Sequence, residues 1–135
     1  MPKLPTAPAT MLVSLALVAS LSVAAKAAVT EDNFKLQSAG DLAALCSADK
    51  TDPLATAAAN FCEGYALGAY AVIDQYQRAE KTPLFCLPNP PPTRDAATAA
   101  YAAWVKASPA RPAMAPVDSV YEFLRTQYPC TAKKP

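Results

Sequence analysis

Four cysteines, Cys46, Cys62, Cys86 and Cys130, constrain this chain more than any other feature, because the reach of a small fold depends on whether they are paired. Pairing depends on compartment. The chain opens Met1-Pro2-Lys3, continues through an apolar run from Met11 to Ala25, and reaches small residues at Ala25-Lys26-Ala27-Ala28. That order is the pattern of a secretory signal peptide, expected over residues 1–28, with cleavage after Ala27 or Ala28. The run of roughly 15 residues falls short of the ~20 that a membrane-spanning helix needs, so removal is expected rather than anchoring. No cysteine follows the run closely enough to accept a lipid. The mature part, 29–135, has about 107 residues, enough for one small domain. The expected location is the periplasm or the exterior, with no membrane attachment after cleavage.

All four cysteines lie beyond the cleavage point, and an even number in a short exported chain implies a disulfide framework. Sequence alone leaves three pairings open. Cys46 with Cys62 and Cys86 with Cys130 is the favoured set, since each bond then ties an element to the one that follows or closes it. Metal binding fits less well. No pair has CxxC spacing, and the chain contains no histidine to complete a mixed site.

Taken in order, Val29 to Gln37 is a polar lead-in with Phe34 and Leu36 as docking points. Ser38, followed three residues later by Asp41, signals a short helix running to about Ser47, with Ala39, Leu42 and Leu45 inward. Asp52-Pro53 marks the start of a long alanine-rich helix reaching about Glu80. Leu54, Ala58, Phe61, Tyr65, Gly68, Val72 and Tyr76 recur at steps of three and four and trace its expected core face. Gly64 and Gly68 each lower helix propensity by about 0.8–1 kcal/mol, so a close approach by another segment is expected there.

The segment Lys81 to Thr93 contains five prolines, which end the helix and stiffen a loop centred on Cys86. Thr93 caps a third helix, from Arg94 to about Ala107, with Ala97, Ala100, Tyr101, Trp104 and Val105 on one side. Ser108 to Arg111-Pro112 terminates it. Pro116 opens a fourth helix with Val117, Val120, Tyr121, Leu124 and Tyr128 inward, and Pro129-Cys130 closes the chain. No strand-like alternation of useful length occurs. The fold class is all-α, a compact bundle of about four helices stapled by two disulfides.

The chemistry available is narrow. Without histidine the commonest general base and pH switch is absent, and paired cysteines supply no thiolate. The carboxylates fall at caps or exposed helix faces, and three glycines, Gly40, Gly64 and Gly68, make no phosphate loop. No catalytic residue, cofactor or metal is assigned, and an enzyme is not expected. Removing Lys3 and Lys26 changes the net charge from +1 to about −1, with no basic run to hold nucleic acid. The Lys133-Lys134 pair is a solvated tail. What remains is binding. The proline loop is either a rigid crossover or a preorganised partner surface, since a stiff loop loses little entropy on docking. Leu84, Phe85, Leu87 and Asn89 on that loop, with Arg111 and Met114 on the next connection, are the candidate contact residues.

The landmarks form an ordered set: Leu45-Cys46; Cys62-Glu63-Gly64-Tyr65 with Gly68; Phe85-Cys86-Leu87-Pro88; a helix entered through Thr93; Pro109 then Pro116; and Tyr128-Pro129-Cys130. The set resembles the Rap/Tai family of small exported bacterial proteins across about Phe34 to Cys130. The family's founding members are immunity proteins against peptidoglycan amidase effectors of the type VI secretion system. The resemblance implies a periplasmic helical protein that binds such an amidase and occludes its active site, and it admits a homodimer. The alternative function is a structural or stress-related periplasmic binding protein with no amidase partner. The matched cysteines, glycines and Tyr65 are fold-keeping positions, so the resemblance carries over no inhibitory residue. Two departures fall in connections, where partner contacts vary most. The loop after Cys86 is richer in proline than the family pattern, and Ser108 to Pro116 lacks an expected histidine.

Overall fold

The computed structural model describes residues 28–130. The expected leader, apart from Ala28, and the Lys133-Lys134 pair lie outside the described residues. Among those residues every regular element is helical: a 3₁₀ turn Glu31–Lys35, then α1 (Ala39–Cys46), α2 (Ala55–Ala79), α3 (Arg94–Lys106), a second 3₁₀ turn Arg111–Ala113, and α4 (Pro116–Gln127). No described helix is long and apolar enough to cross a membrane.

Local signals set the boundaries. Ser38 Oγ accepts from Asp41 N at 3.2 Å and opens α1. Thr93 Oγ1 accepts from Ala96 N at 3.2 Å and opens α3. Pro116 occupies the first turn of α4, where a missing N–H costs little. Asp52 acts differently from a simple cap. Its Oδ1 accepts from Leu54 N at 2.8 Å and its Oδ2 from Val29 N at 2.9 Å, so it turns the chain into α2 and fastens the start of the domain.

Asp41 has the densest set of partners. Its carboxylate accepts from Asn33 Nδ2 (3.0 Å), Gln37 N (3.1 Å), Ser38 N (3.0 Å) and Ser38 Oγ (2.9 Å), joining the lead-in to α1. Burial alone would raise its pKa, but the hydrogen bonds from Asn33, Ser38 and the backbone outweigh it and hold the acid below 3.8. An acid with a depressed folded pKa stabilises the fold at pH above its unfolded value, and the gain is lost as pH falls through the folded one. Asp41→Ala is therefore expected to cost about 1–2 kcal/mol near neutral pH. The deficit relative to wild type should shrink as pH falls below the ordinary carboxylate range, measured as Tm against pH for both proteins.

α1 is short but the most buried helix: Ala39 and Leu42 are fully covered, with Ala43 and Leu45 close behind. Around it the core divides. The larger part joins α1, α3 and α4 through Tyr101, Trp104, Val105, Val120, Phe123 and Leu124, and Ile73 and Phe85 extend it. The smaller part collects Val29, Leu45, Ala58 and Cys62, with Phe34 edge-on to Phe61 at 5.5 Å. Both disulfides take the favoured pairing, Cys46–Cys62 with Cα atoms 5.1 Å apart and Cys86–Cys130 at 4.8 Å.

The face of α2 differs from the one the spacing suggested. Val72 and Tyr76 are 70 % and 62 % exposed, while Ala58, Cys62 and Ile73 are buried and Tyr65 and Ala69 pack against the core. Cys62 decides the rotation, since it must face Cys46. The glycines follow from that rotation. A Cβ at Gly64 or Gly68 would meet no atom within 4 Å, so no segment approaches there and the expected seam is absent. The close approach is at Gly40, where a Cβ would lie 3.3 Å from both the Pro112 side chain and its carbonyl oxygen. Gly64→Ala and Gly68→Ala are each expected to stabilise the protein by about 0.8–1 kcal/mol, read from urea unfolding. Gly64→Leu, a large residue that a packed seam would reject, is expected to leave Tm undiminished.

Candidate functional site

The proline loop begins where α2 ends. Gln77 Oε1 accepts from Leu84 N and Phe85 N, both at 3.2 Å, and turns the chain back toward the bundle. Phe85 then enters the core beside Tyr70, with ring centroids 6.0 Å apart. Cys86 N donates to the Tyr128 carbonyl at 2.8 Å next to the disulfide, and the Asn89–Pro90 peptide is cis. The second connection is held as firmly. Arg111 Nη1 donates to the Trp104 carbonyl at 2.7 Å, and its guanidinium lies 4.1 Å from the Trp104 ring centroid. The Met114 carbonyl accepts from Ala39 N at 2.8 Å.

These contacts sort the six candidate residues. Phe85 is 2 % exposed and anchors the loop, so it is withdrawn from any partner surface by burial. Arg111 is half-buried and its guanidinium is committed to Trp104. Leu84 and Met114 pack, partly buried, against the core. Asn89 is exposed at the loop tip, and Leu87 lines a cavity. The structure therefore does not gather the six into one surface.

Sequence reasoning missed the cavity itself. It is a half-open groove of about 320 Å³ between α2, α3 and α4, roofed by Leu87, Pro91 and Pro92. Ala66 and Leu67 of α2, Ala97 of α3, and Val120, Phe123 and Leu124 of α4 line it, with Tyr70, Tyr101 and Tyr128. Ala66 and Ala97 are the signal that could have revealed it, since small residues on the inner sides of two helices leave volume unfilled.

Two of the hydroxyls in the groove, those of Tyr101 and Thr98, are engaged within the protein. Tyr101 Oη lies 2.5 Å from Ser119 Oγ, which in turn donates to the Pro116 carbonyl at 2.6 Å, so the tyrosine is the donor in the first bond. Burial pushes the Tyr101 hydroxyl up to about 12, so it stays protonated and cannot serve as a base near neutral pH. Thr98 Oγ1 donates back to its own helix, at the Arg94 carbonyl (3.0 Å) and the Asp95 carbonyl (3.2 Å). The charged groups in the lining are Glu63 and Arg94, and among the described residues neither side chain has a hydrogen bond or ion pair.

Such a site can hold apolar matter beside two charged side chains of opposite sign. It contains no paired acid and base, all four cysteines are bonded, and no cluster among the described residues has the make-up of a metal site. Two disulfides fit an extracytoplasmic protein. No curated protein and no solved structure matches the chain. The model of the family described as Rap1a immunity proteins matches residues 38–130, from the cap of α1 to the last cysteine. By this match over well more than half its length, the chain belongs to the Rap1a immunity protein family.

Proposed function

We propose that this protein is a periplasmic immunity protein that binds a peptidoglycan amidase delivered by type VI secretion and blocks its active site. Residues 1–28 serve as the leader, and 29–135 form the single binding domain. The observation that carries this reading is the family match over residues 38–130. A disulfide-bonded helical body with rigid, core-anchored connections supports it, because a preformed surface loses little entropy on binding. Inhibition by occlusion asks for no chemistry from the inhibitor, only for a fit that excludes substrate.

The test is protection in the correct compartment. Type VI amidase effectors, any encoded near this gene first, are exported in turn to the periplasm of a sensitive host, with this protein expressed with or without its leader. Survival restored only by the form carrying the leader is the expected result. Lysis by every one of them in spite of the exported protein would remove the immunity reading.

A further inference from the structure

The groove between α2, α3 and α4 is preformed, and its chemistry narrows what can occupy it. About 150 Å³ of apolar cavity holds one benzene ring, so 320 Å³ has room for about two aromatic or branched side chains. The buried part of an occupant must be apolar. The lining is mainly aliphatic and aromatic carbon, and a strongly hydrated sugar placed there would exchange most of its hydrogen bonds to water for contact with apolar groups.

The rim decides between a lipid and a polypeptide. Glu63 and Arg94 carry opposite charges, and neither has a hydrogen-bond or ion-pair partner among the described residues. A fatty acid could satisfy Arg94 with its carboxylate but would offer nothing to Glu63. A polypeptide segment can bring apolar side chains and charges of both signs. Apolar anchors in a pocket, ringed by polar contacts that exclude water, are the arrangement that concentrates binding energy at protein interfaces.

We propose that this groove is the receptor for the toxin: two apolar side chains from one toxin segment fill it, while a basic group of that segment meets Glu63 and an acidic group meets Arg94. The proposal rests on the immunity reading above and names where the partner is held. It moves the main contact from the loop tips to the helical groove, with the proline loop acting as a wall.

The experiment uses the mature protein and the amidase effector against which it protects in the periplasmic assay above, with binding measured by calorimetry. Leu67 is 47 % exposed at the groove, so Leu67→Asp alters the surface without opening the core. Arg94→Glu does the same at the rim, and Ala97→Trp fills the cavity. Val72→Asp, on α2 but away from the groove, is the control. Thermal melts check that each variant is folded; should Ala97→Trp fail to fold, the two surface variants carry the test.

Leu67→Asp and Arg94→Glu are each expected to weaken binding by at least about tenfold, with Val72→Asp within about twofold of wild type. If wild type binds and the groove variants bind equally well, the groove proposal is overturned and the immunity reading survives. If wild type does not bind, both fall. Two further outcomes would also overturn it by naming another occupant. One is a dimer that Leu67→Asp converts to monomer with toxin affinity unchanged. The other is saturable binding of dodecanoate that Leu67→Asp abolishes, again with toxin affinity unchanged.

Discussion

Replacing Cys86 and Cys130 together by serine is expected to lower the unfolding free energy by about 4 kcal/mol, on the loop-entropy account of a cross-link. The bond joins residues 44 positions apart and fastens two things at once. One is the proline loop, which roofs the groove, and the other is the segment that follows α4. Removing Cys46 and Cys62, 16 positions apart, should cost about 3 kcal/mol by the same reasoning. A domain of about 100 residues has roughly 5–15 kcal/mol to lose, so either loss is a large share and both together should leave little folded protein. Chemical unfolding of the two double-serine variants against the oxidised wild type measures this. A change below about 1 kcal/mol for the longer loop would mean that the reduced chain retains native-like structure in that region.

Phe123→Ala is expected to cost about 3–5 kcal/mol, the range for deleting a buried aromatic ring. Phe123 is 4 % exposed and stands between three other rings, 5.6 Å from Tyr101, 5.9 Å from Trp104 and 6.0 Å from Tyr128, all edge-on. Such pairs add about 0.5–1.5 kcal/mol each beyond area burial. The residue also lines the groove, so the ring's removal would join a new void to an existing one, which the helices cannot close by collapse. The unfolding midpoint in urea, with the slope unchanged, is the measurement. Phe123→Leu, which keeps most of the volume, should recover more than half of the loss.

The number of helices and their order were legible because the signals are local, whereas the disulfide pairing was favoured among three that the sequence leaves open. Ser38 with Asp41, Thr93 and Pro116 mark helix starts through the hydrogen bonds they make or omit. The parity of the cysteines implies bonding before any contact is known. Helix facing was less legible, for a reason visible in α2. Alanine fits a core or a surface, so Ala57, Ala58, Ala59, Ala66, Ala69 and Ala71 give no phase. The aromatic residues Phe61, Tyr65, Tyr70 and Tyr76 then point in several directions, and a stripe of threes and fours can be drawn through the wrong set.

In α4 the expected stripe began at Val117, which is 47 % exposed, and passed over Phe123 and Ser119, which are buried. The hydrogen bond from Tyr101 to Ser119 locks that phase, and it links residues 18 positions apart. The groove was the least legible feature, since a void is defined by side chains that are too small to fill it. Asn89 lies exposed at the loop tip, whereas Phe85 shows how an aromatic beside a disulfide in a loop serves as its anchor.

Immunity by binding is tested most directly by titrating oxidised protein of residues 29–135 into purified type VI amidase effectors, any encoded near its gene first, while peptidoglycan cleavage is followed. Turnover by one of them should fall in proportion to added protein and reach zero at a fixed stoichiometric ratio, with loss of the effect when both disulfides are replaced. Undiminished turnover by every one of them in the presence of a large excess of folded, oxidised protein would contradict it.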